Sequence, residues 1–198
     1  MAFGWRVLMA AGVLGVFVAA GAVWWGGSHL TPAPVAAKIG GPFTLVGTKG
    51  QPVTRADILG RPHAVFFGYT FCPDICPTTL FEMSGHLEAL GAAGDRLDVY
   101  FISVDGTRDT PAHLGRYVSA FDPRIAALTG TKAQIDEAVA AYRVRYKIHP
   151  PNERGHYLID HTATVLLFDE NGAFQGTIGY GEDVAVARAK LKRLAQGA

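Results

Sequence analysis

Nineteen consecutive residues, Val7 to Trp25 (VLMAAGVLGVFVAAGAVWW), carry no charge. A helix of that length spans roughly 28 Å at about 1.5 Å per residue, close to the hydrocarbon thickness of a bilayer. The chain's three tryptophans, Trp5, Trp24 and Trp25, stand at the two ends of the run, where indole rings favour the membrane interface. A cleaved signal peptide is the competing interpretation. Its apolar stretch is usually shorter and is followed by small residues, whereas two bulky rings end this one. Residues 7–25 are therefore expected to form one transmembrane anchor. Arg6 and the amino terminus precede it, and no basic residue follows until Lys38. That asymmetry puts residues 1–6 in the cytoplasm and the large domain outside it. Ala11 and Gly15 give a small-xxx-small spacing that packing against lipid explains as well as helix pairing does. Residues 26–41 (GGSHLTPAPVAAKIGG) are rich in Gly and Pro with a single charge, the composition of a flexible tether.

The anchor accounts for an unusual composition. The chain is 49% hydrophobic and only 18% charged, whereas a typical soluble domain is about a quarter charged. All 17 acids and 16 of the 18 Lys and Arg follow residue 41, leaving residues 42–198 with a net charge of −1. A nearly neutral domain lacks the basic footprint of a nucleic-acid binder. Two cysteines cannot build a disulfide scaffold, and the high apolar content argues against intrinsic disorder.

Residues 42–198 alternate between strand and helix patterns. Phe43–Val46, a turn at Thr48-Lys49-Gly50 and Gln51–Val53 predict a short hairpin. A helical turn opens at Thr54 and stops at Gly60. The aromatic and β-branched run Ala64–Tyr69 predicts a buried strand. A helix over Cys76–Leu90, closed by Gly91, a strand over Leu97–Val104, and a helix from Asp109-Thr110-Pro111 to about Ala120 follow. Next come a short strand over Ile125–Leu128 and a helix capped by Thr131 that runs to about Tyr142. After a long connection, Ala163–Phe168 and Ala173–Ile178 flank the hairpin turn Asn171-Gly172. Asp183–Gln196 predicts a final amphipathic helix, with basic residues toward its C-terminal end. The fold class is α/β: a thioredoxin-like order with an N-terminal hairpin and insertions, behind one transmembrane helix.

Both cysteines lie in Phe71-Cys72-Pro73-Asp74-Ile75-Cys76-Pro77, directly after a strand and at the start of a helix. The helix N-terminus is expected to lower thiol pKa. Cysteines four apart are expected on one helical face, where both sulfurs reach a single ion. A structural disulfide is the plainer interpretation, but it would close a very small loop and remove little chain entropy. Soft thiolates suit Cu(I), imidazole suits copper generally, and two thiolates alone make an incomplete site. A partner histidine is therefore sought among His29, His63, His86, His113, His149, His156 and His161. His161 is favoured because Asp160-His161-Thr162 immediately precedes a core strand. Met83, seven residues after Cys76, reads as core rather than as a thioether ligand. His149 and His156 read as a solvated loop pair rather than as holders of a second ion.

The segment FFGYTFCPDICPTTLFEM resembles the signature of the Sco/SenC family of copper-binding proteins of respiratory membranes. YLIDHTATVLLFDENG resembles a second family block, and SVDGTRDTP a third, usually VDPERDTP; here Gly106-Thr107 stands in place of Pro-Glu. The resemblance covers about residues 40–195. It implies a thioredoxin-like domain over residues 42–198 that binds one copper, as Cu(I) or Cu(II), through Cys72, Cys76 and His161. It also implies a role in assembling the binuclear copper centre of cytochrome c oxidase, by delivering copper to the copper-accepting subunit or by keeping that subunit's cysteines reduced. Other copper chaperones and a thiol reductant are the further partners implied. The location implied is the bacterial inner membrane, with the domain on the periplasmic side. Asp74 and Asp160 adjoin ligands and are candidates for holding them or touching a partner, although ordinary turn acids would look the same.

Two functions compete. A copper metallochaperone is a binding protein rather than an enzyme. A thiol-disulfide oxidoreductase would attack with Cys72 and resolve with Cys76. Against a general reductase stand the C-x-x-x-C spacing and the absence of Pro from residues 152–170, where thioredoxins place a cis-proline opposite their cysteines. A thioredoxin-fold peroxidase, with Arg108 assisting peroxide, lacks a signature.

Overall fold

A computed structural model of the chain describes residues 38–197. The expected cytoplasmic N-terminus (1–6), the anchor (7–25) and all but the last four residues of the expected tether (26–41) lie outside the described residues. Among the described residues no helix is long and apolar enough to cross a membrane.

The elements follow the predicted alternation. Strands β1 (Thr44–Gly47) and β2 (Pro52–Thr54) form the hairpin, turned at Gly50 with φ of 82°. A 3-10 turn (Arg55–Ile58) leads to β3 (His63–Gly68), which is buried at every residue because both faces of the sheet are covered there. Helix α1 spans Ile75–Leu90 and β4 spans Asp98–Ser103. Helix α2 (Pro111–Val118) is capped by Thr110, which accepts from the His113 N–H, with proline in the first turn. Strand β5 (Ile125–Thr129) is followed by α3 (Lys132–Ala141), which opens with a capping box between Thr131 and Gln134. Strands β8 (Thr164–Phe168) and β9 (Phe174–Gly179) turn at Gly172, with φ of 72°. Helix α4 (Val184–Gln196) closes the chain, with Asp183 accepting from Ala185 and Val186 N–H groups.

One sheet of order β2-β1-β5-β4-β3-β8-β9 carries the domain. Strand β3 runs parallel to β4 (Val65 opposite Tyr100) and antiparallel to β8 (Val65 opposite Leu166). Helices α1 and α4 pack together, α2 lies on β5 and α3 on β1. The β3-α1-β4 and β8-β9-α4 units on shared central strands are the arrangement expected of a thioredoxin-like fold, and the added β1–β2 hairpin extends it through β5. Phe66, Phe67, Leu80, Met83, Leu87 and Phe101 form the middle of the core.

Two differences from the sequence expectation bear on the site. The long connection contains a second, small sheet, in which β6 (Tyr146–Ile148) pairs antiparallel with β7 (Ile159–His161). Three-residue strands show no readable period, and this pair depends on long-range support. Thr162 N–H donates to the Arg145 carbonyl at 3.0 Å, and Ile159 N–H to the Tyr69 hydroxyl at 3.2 Å. The second difference concerns the cysteines. Only Cys76 is in α1, while Cys72 lies in the turn before it.

Candidate metal centre

The C-terminal end of β3 builds one side of the site. Gly68 ends the strand, and Tyr69 to Asp74 turn the chain into α1, with Cys72 N–H donating to the Tyr69 carbonyl at 3.3 Å. That turn, rather than a common helical face, brings the two sulfurs together. Gly68 makes the close approach possible, because a β-carbon there would stand 2.6 Å from Cys76 Sγ. The other side comes from β7, whose last residue is His161. Both cysteines are free and buried. One donor atom from each of Cys72, Cys76 and His161 lies within 4.8 Å of the others, and His161 Nε2 is 3.2 Å from Cys76 Sγ. Three donors at about 2.3 Å from a first-row ion would stand about 4 Å apart. The cluster therefore fits an ion with small side-chain adjustments.

Tautomer and protonation suit that use. His161 Nδ1 lies 3.3 Å from the Thr162 carbonyl. An Nδ1–H donating there leaves the Nε2 lone pair facing the thiols. Burial pushes the His161 pKa down, against the opposing pull of the Thr162 and Phe67 carbonyls, so the ring is held neutral. It stands edge-on to the rings of Phe66 and Tyr69, each with centroids 5.9 Å away. For Cys76 the expected effect of the helix N-terminus is reversed. Burial pushes its thiol well above the ordinary range, and the nearby Cys72 adds to the shift. Magnitudes explain the sign. A helix terminus contributes about 0.3–1 kcal/mol, whereas burial shifts a pKa by up to several units, each about 1.4 kcal/mol. The site is thus an apolar-walled cluster of two sulfurs and one imidazole, with the Cys76 thiol and the His161 ring both pushed toward their neutral forms. That donor set suits a soft ion such as Cu(I), with the imidazole extending it to Cu(II).

The remaining sequence candidates fall elsewhere. Asp74 is exposed at the start of α1, and its Oδ1 accepts from the Thr78 hydroxyl at 3.4 Å. Asp160 is exposed, and its Oδ2 lies 2.7 Å from His149 Nε2. Neither of these hydrogen bonds reaches a member of the cluster. Met83 is core. His63 is buried at the far end of β3, with Nδ1 3.0 Å from the Arg61 carbonyl. His86 is buried on α1 and His156 is exposed. His29 lies outside the described residues. His113 is near the site but serves its wall, 2.9 Å from the Thr70 hydroxyl and stacked on Phe71.

Sequence reasoning misses the groups that hold the walls. Asp109 is fully buried and accepts from the Thr70 N–H and hydroxyl at 3.0 and 2.6 Å and from the Ser103 hydroxyl at 2.6 Å. Tyr69 ties the cysteine turn to β7 through Ile159. The only available signals were an aromatic directly before the cysteine segment and two acids in SVDGTRDTP, and neither announces its distant partner.

Comparison with known proteins agrees with this geometry. The SCO1/SenC family pattern matches residues 31–196. The Rhodobacter capsulatus protein SenC is 41% identical over 138 residues, covering 70% of this chain and 62% of that relative, so the match spans less than two thirds of the relative's length. The structure of Bradyrhizobium japonicum ScoI with copper bound superposes with a TM-score of 0.73 at 44% identity, covering 79% of this chain and 99% of that one. Yeast Sco1 with copper bound gives a TM-score of 0.75 at 34% identity, covering 81% of this chain and 90% of that one. The cysteine turn, the distant Asp-His-Thr and the shared fold thus agree with a match along most of the sequence, and the chain belongs to the SCO1/SenC family.

Proposed function

We propose that the chain is a membrane-anchored copper metallochaperone that binds one copper ion through Cys72, Cys76 and His161 and assists assembly of the binuclear copper centre of cytochrome c oxidase. The observation that carries the proposal is the convergence of three donors, from segments 85 residues apart, to within 4.8 Å. Relatives of the same fold hold copper. Copper is cargo here. Two buried thiolates retain it, while the imidazole sits on a separate strand whose movement would open a position for an acceptor's ligand. Residues 7–25 would anchor the domain, with 26–41 as tether, so that residues 42–198 work on the periplasmic side of a bacterial inner membrane. The copper-accepting oxidase subunit, other copper chaperones and a thiol reductant would be its partners. Asp74 and Asp160, exposed beside the cysteine turn and His161, are suited to meeting a partner.

The test uses the full chain loaded with Cu(I) and mixed with the copper-accepting domain of an oxidase subunit. Copper and thiol content are followed together. Transfer to a reduced acceptor is expected, and in a parallel titration His161→Ala is expected to weaken Cu(II) binding by tenfold or more. Wild-type Cu(II) binding by His161→Ala would sink the three-ligand site.

A second reading has its own support. Cys76 is sealed, whereas Cys72 keeps 9% of its surface exposed, the asymmetry of an attacking and a resolving thiol. Cys72 would attack an acceptor disulfide, and Cys76 would displace the acceptor, leaving it with two thiols and this chain with a Cys72–Cys76 disulfide. Acceptor reduction by a His161→Ala protein that no longer holds Cu(II) would favour this role.

A further inference from the structure

The two ligand-bearing segments are gripped by a residue on a third loop. Arg108 lies between β4 and α2. Its Nε pairs with Asp105, and its Nη1 donates to the Tyr157 carbonyl at 3.0 Å. Its guanidinium carbon stands 3.5 Å from the centre of the Tyr157 ring, 4.6 Å from that of Phe71 and 5.6 Å from that of Tyr69. Asp105 is buried and also accepts from the Tyr157 hydroxyl at 2.8 Å. One ion pair therefore holds Tyr157 by its ring, its carbonyl and its hydroxyl. Tyr157 leads into β7 and His161, while Tyr69 and Phe71 flank the turn that carries Cys72. Arg108 touches both arms of the site.

A largely buried ion pair is a weak source of stability. Burying an ion pair costs desolvation, and Arg108 Nη2 is buried without a hydrogen-bond partner among the described residues. What the pair supplies is orientation, because a planar guanidinium fixed by a carboxylate, a carbonyl and stacked rings has one geometry. We infer that Asp105, Arg108 and Tyr157 form a positioning clamp that sets the His161 arm against the cysteine turn and so decides whether the site offers three ligands or two. This inference rests on the copper-site reading above. Two thiolates suffice to retain Cu(I), whereas Cu(II) draws on the imidazole. Releasing the clamp therefore weakens Cu(II) binding selectively.

The experiment compares the full chain with its Arg108→Met, Tyr157→Phe and His161→Ala variants, anaerobically. Cu(I) affinity is read by chelator competition. Cu(II) affinity is read by thiolate-to-copper absorption, with nitrogen hyperfine splitting reporting the imidazole. Arg108→Met is expected to hold Cu(I) within threefold of wild type, to lose Cu(II) affinity by tenfold or more and to lose nitrogen splitting. Tyr157→Phe, which deletes one hydroxyl, is expected to show the same pattern with at least a threefold loss. If His161→Ala loses Cu(II) while both clamp variants keep wild-type affinity and spectrum, the clamp is refuted and the metal site stands. If His161→Ala itself binds Cu(II) as wild type does, both fall. Should Arg108→Met not fold, the same criteria applied to Tyr157→Phe decide.

Discussion

A single methyl group at Gly68 tests the geometry most directly. The φ of Gly68 is not positive, so alanine meets no backbone strain there and the question is one of space alone. The added carbon would stand 2.6 Å from Cys76 Sγ, 2.8 Å from Phe101 Cε2 and 3.3 Å from Phe66 Cε1. Ordinary carbon contacts sit at about 3.5–4 Å, so the sulfur must retreat by about 1 Å or β3 must shift. Cys76 and both rings are fully buried, which leaves no free end to swing away. Overpacking of this kind costs about 1–3 kcal/mol. For a domain of this size each kcal/mol moves Tm by about 2–4 °C, giving a fall of roughly 2–12 °C. The displacement also disturbs the 3.2 Å contact between Cys76 and His161. Gly85, exposed within α1, is the control. Its added carbon meets nothing within 4 Å, so the same substitution there should raise stability by about 1 kcal/mol. Thermal unfolding of the metal-free full chain in detergent, followed by circular dichroism, reads both variants. Chelator competition then reads Cu(I) retention. A Gly68→Ala protein that melts at or above the wild-type temperature and keeps its copper would refute the steric argument. Destabilisation by Gly85→Ala as well would remove the ground for assigning the loss to the sulfur.

Two further expectations concern protons. Burial pushes the His63 pKa below 6.5, the Arg61 carbonyl only partly opposing it, so the folded state resists the proton that the unfolded state accepts. The stability contributed by neutral His63 is therefore full above pH 6.5 and is lost as pH falls from there to the folded pKa, by up to about 1.4 kcal/mol per pH unit. Denaturant melts at pH 7.5 and 5.5 should show the fall in wild type and a shallower one in His63→Gln; equal slopes would discount His63. For Cys76, burial keeps the thiol protonated near neutral pH, so Cu(I) must displace at least one proton. Affinity, corrected for the chelator's own titration, should rise at least tenfold per pH unit between about pH 6.5 and 8.5, and a flat profile would mean that the buried sulfur is already a thiolate.

How far the sequence reaches depends on where each cause lies along the chain. The aromatic run in β3, the Thr131 and Thr110 caps and the Asn171-Gly172 turn are local causes, and the corresponding elements sit within a residue or two of their predicted bounds. Strands β6 and β7 escape because their pairing borrows the Tyr69 hydroxyl, 90 residues from Ile159. The same division runs through the site. Cysteine spacing is local and points to a cluster, but it misplaces Cys72 on the helix, since a turn bond to Tyr69 is invisible in a spacing rule. The helix dipole is local too, and it predicts the wrong sign for Cys76, because desolvation sums over strands and rings that no sequence window contains. Arg108 suggests only a peroxide-assisting role without a signature to support it until Tyr157, 49 residues away, supplies its carbonyl and ring. His161 is the informative exception. It lies 85 residues from Cys76, yet the resemblance of the Asp-His-Thr block to a family signature makes it recognisable, whereas nothing in the wall residues' own segments names their distant partners.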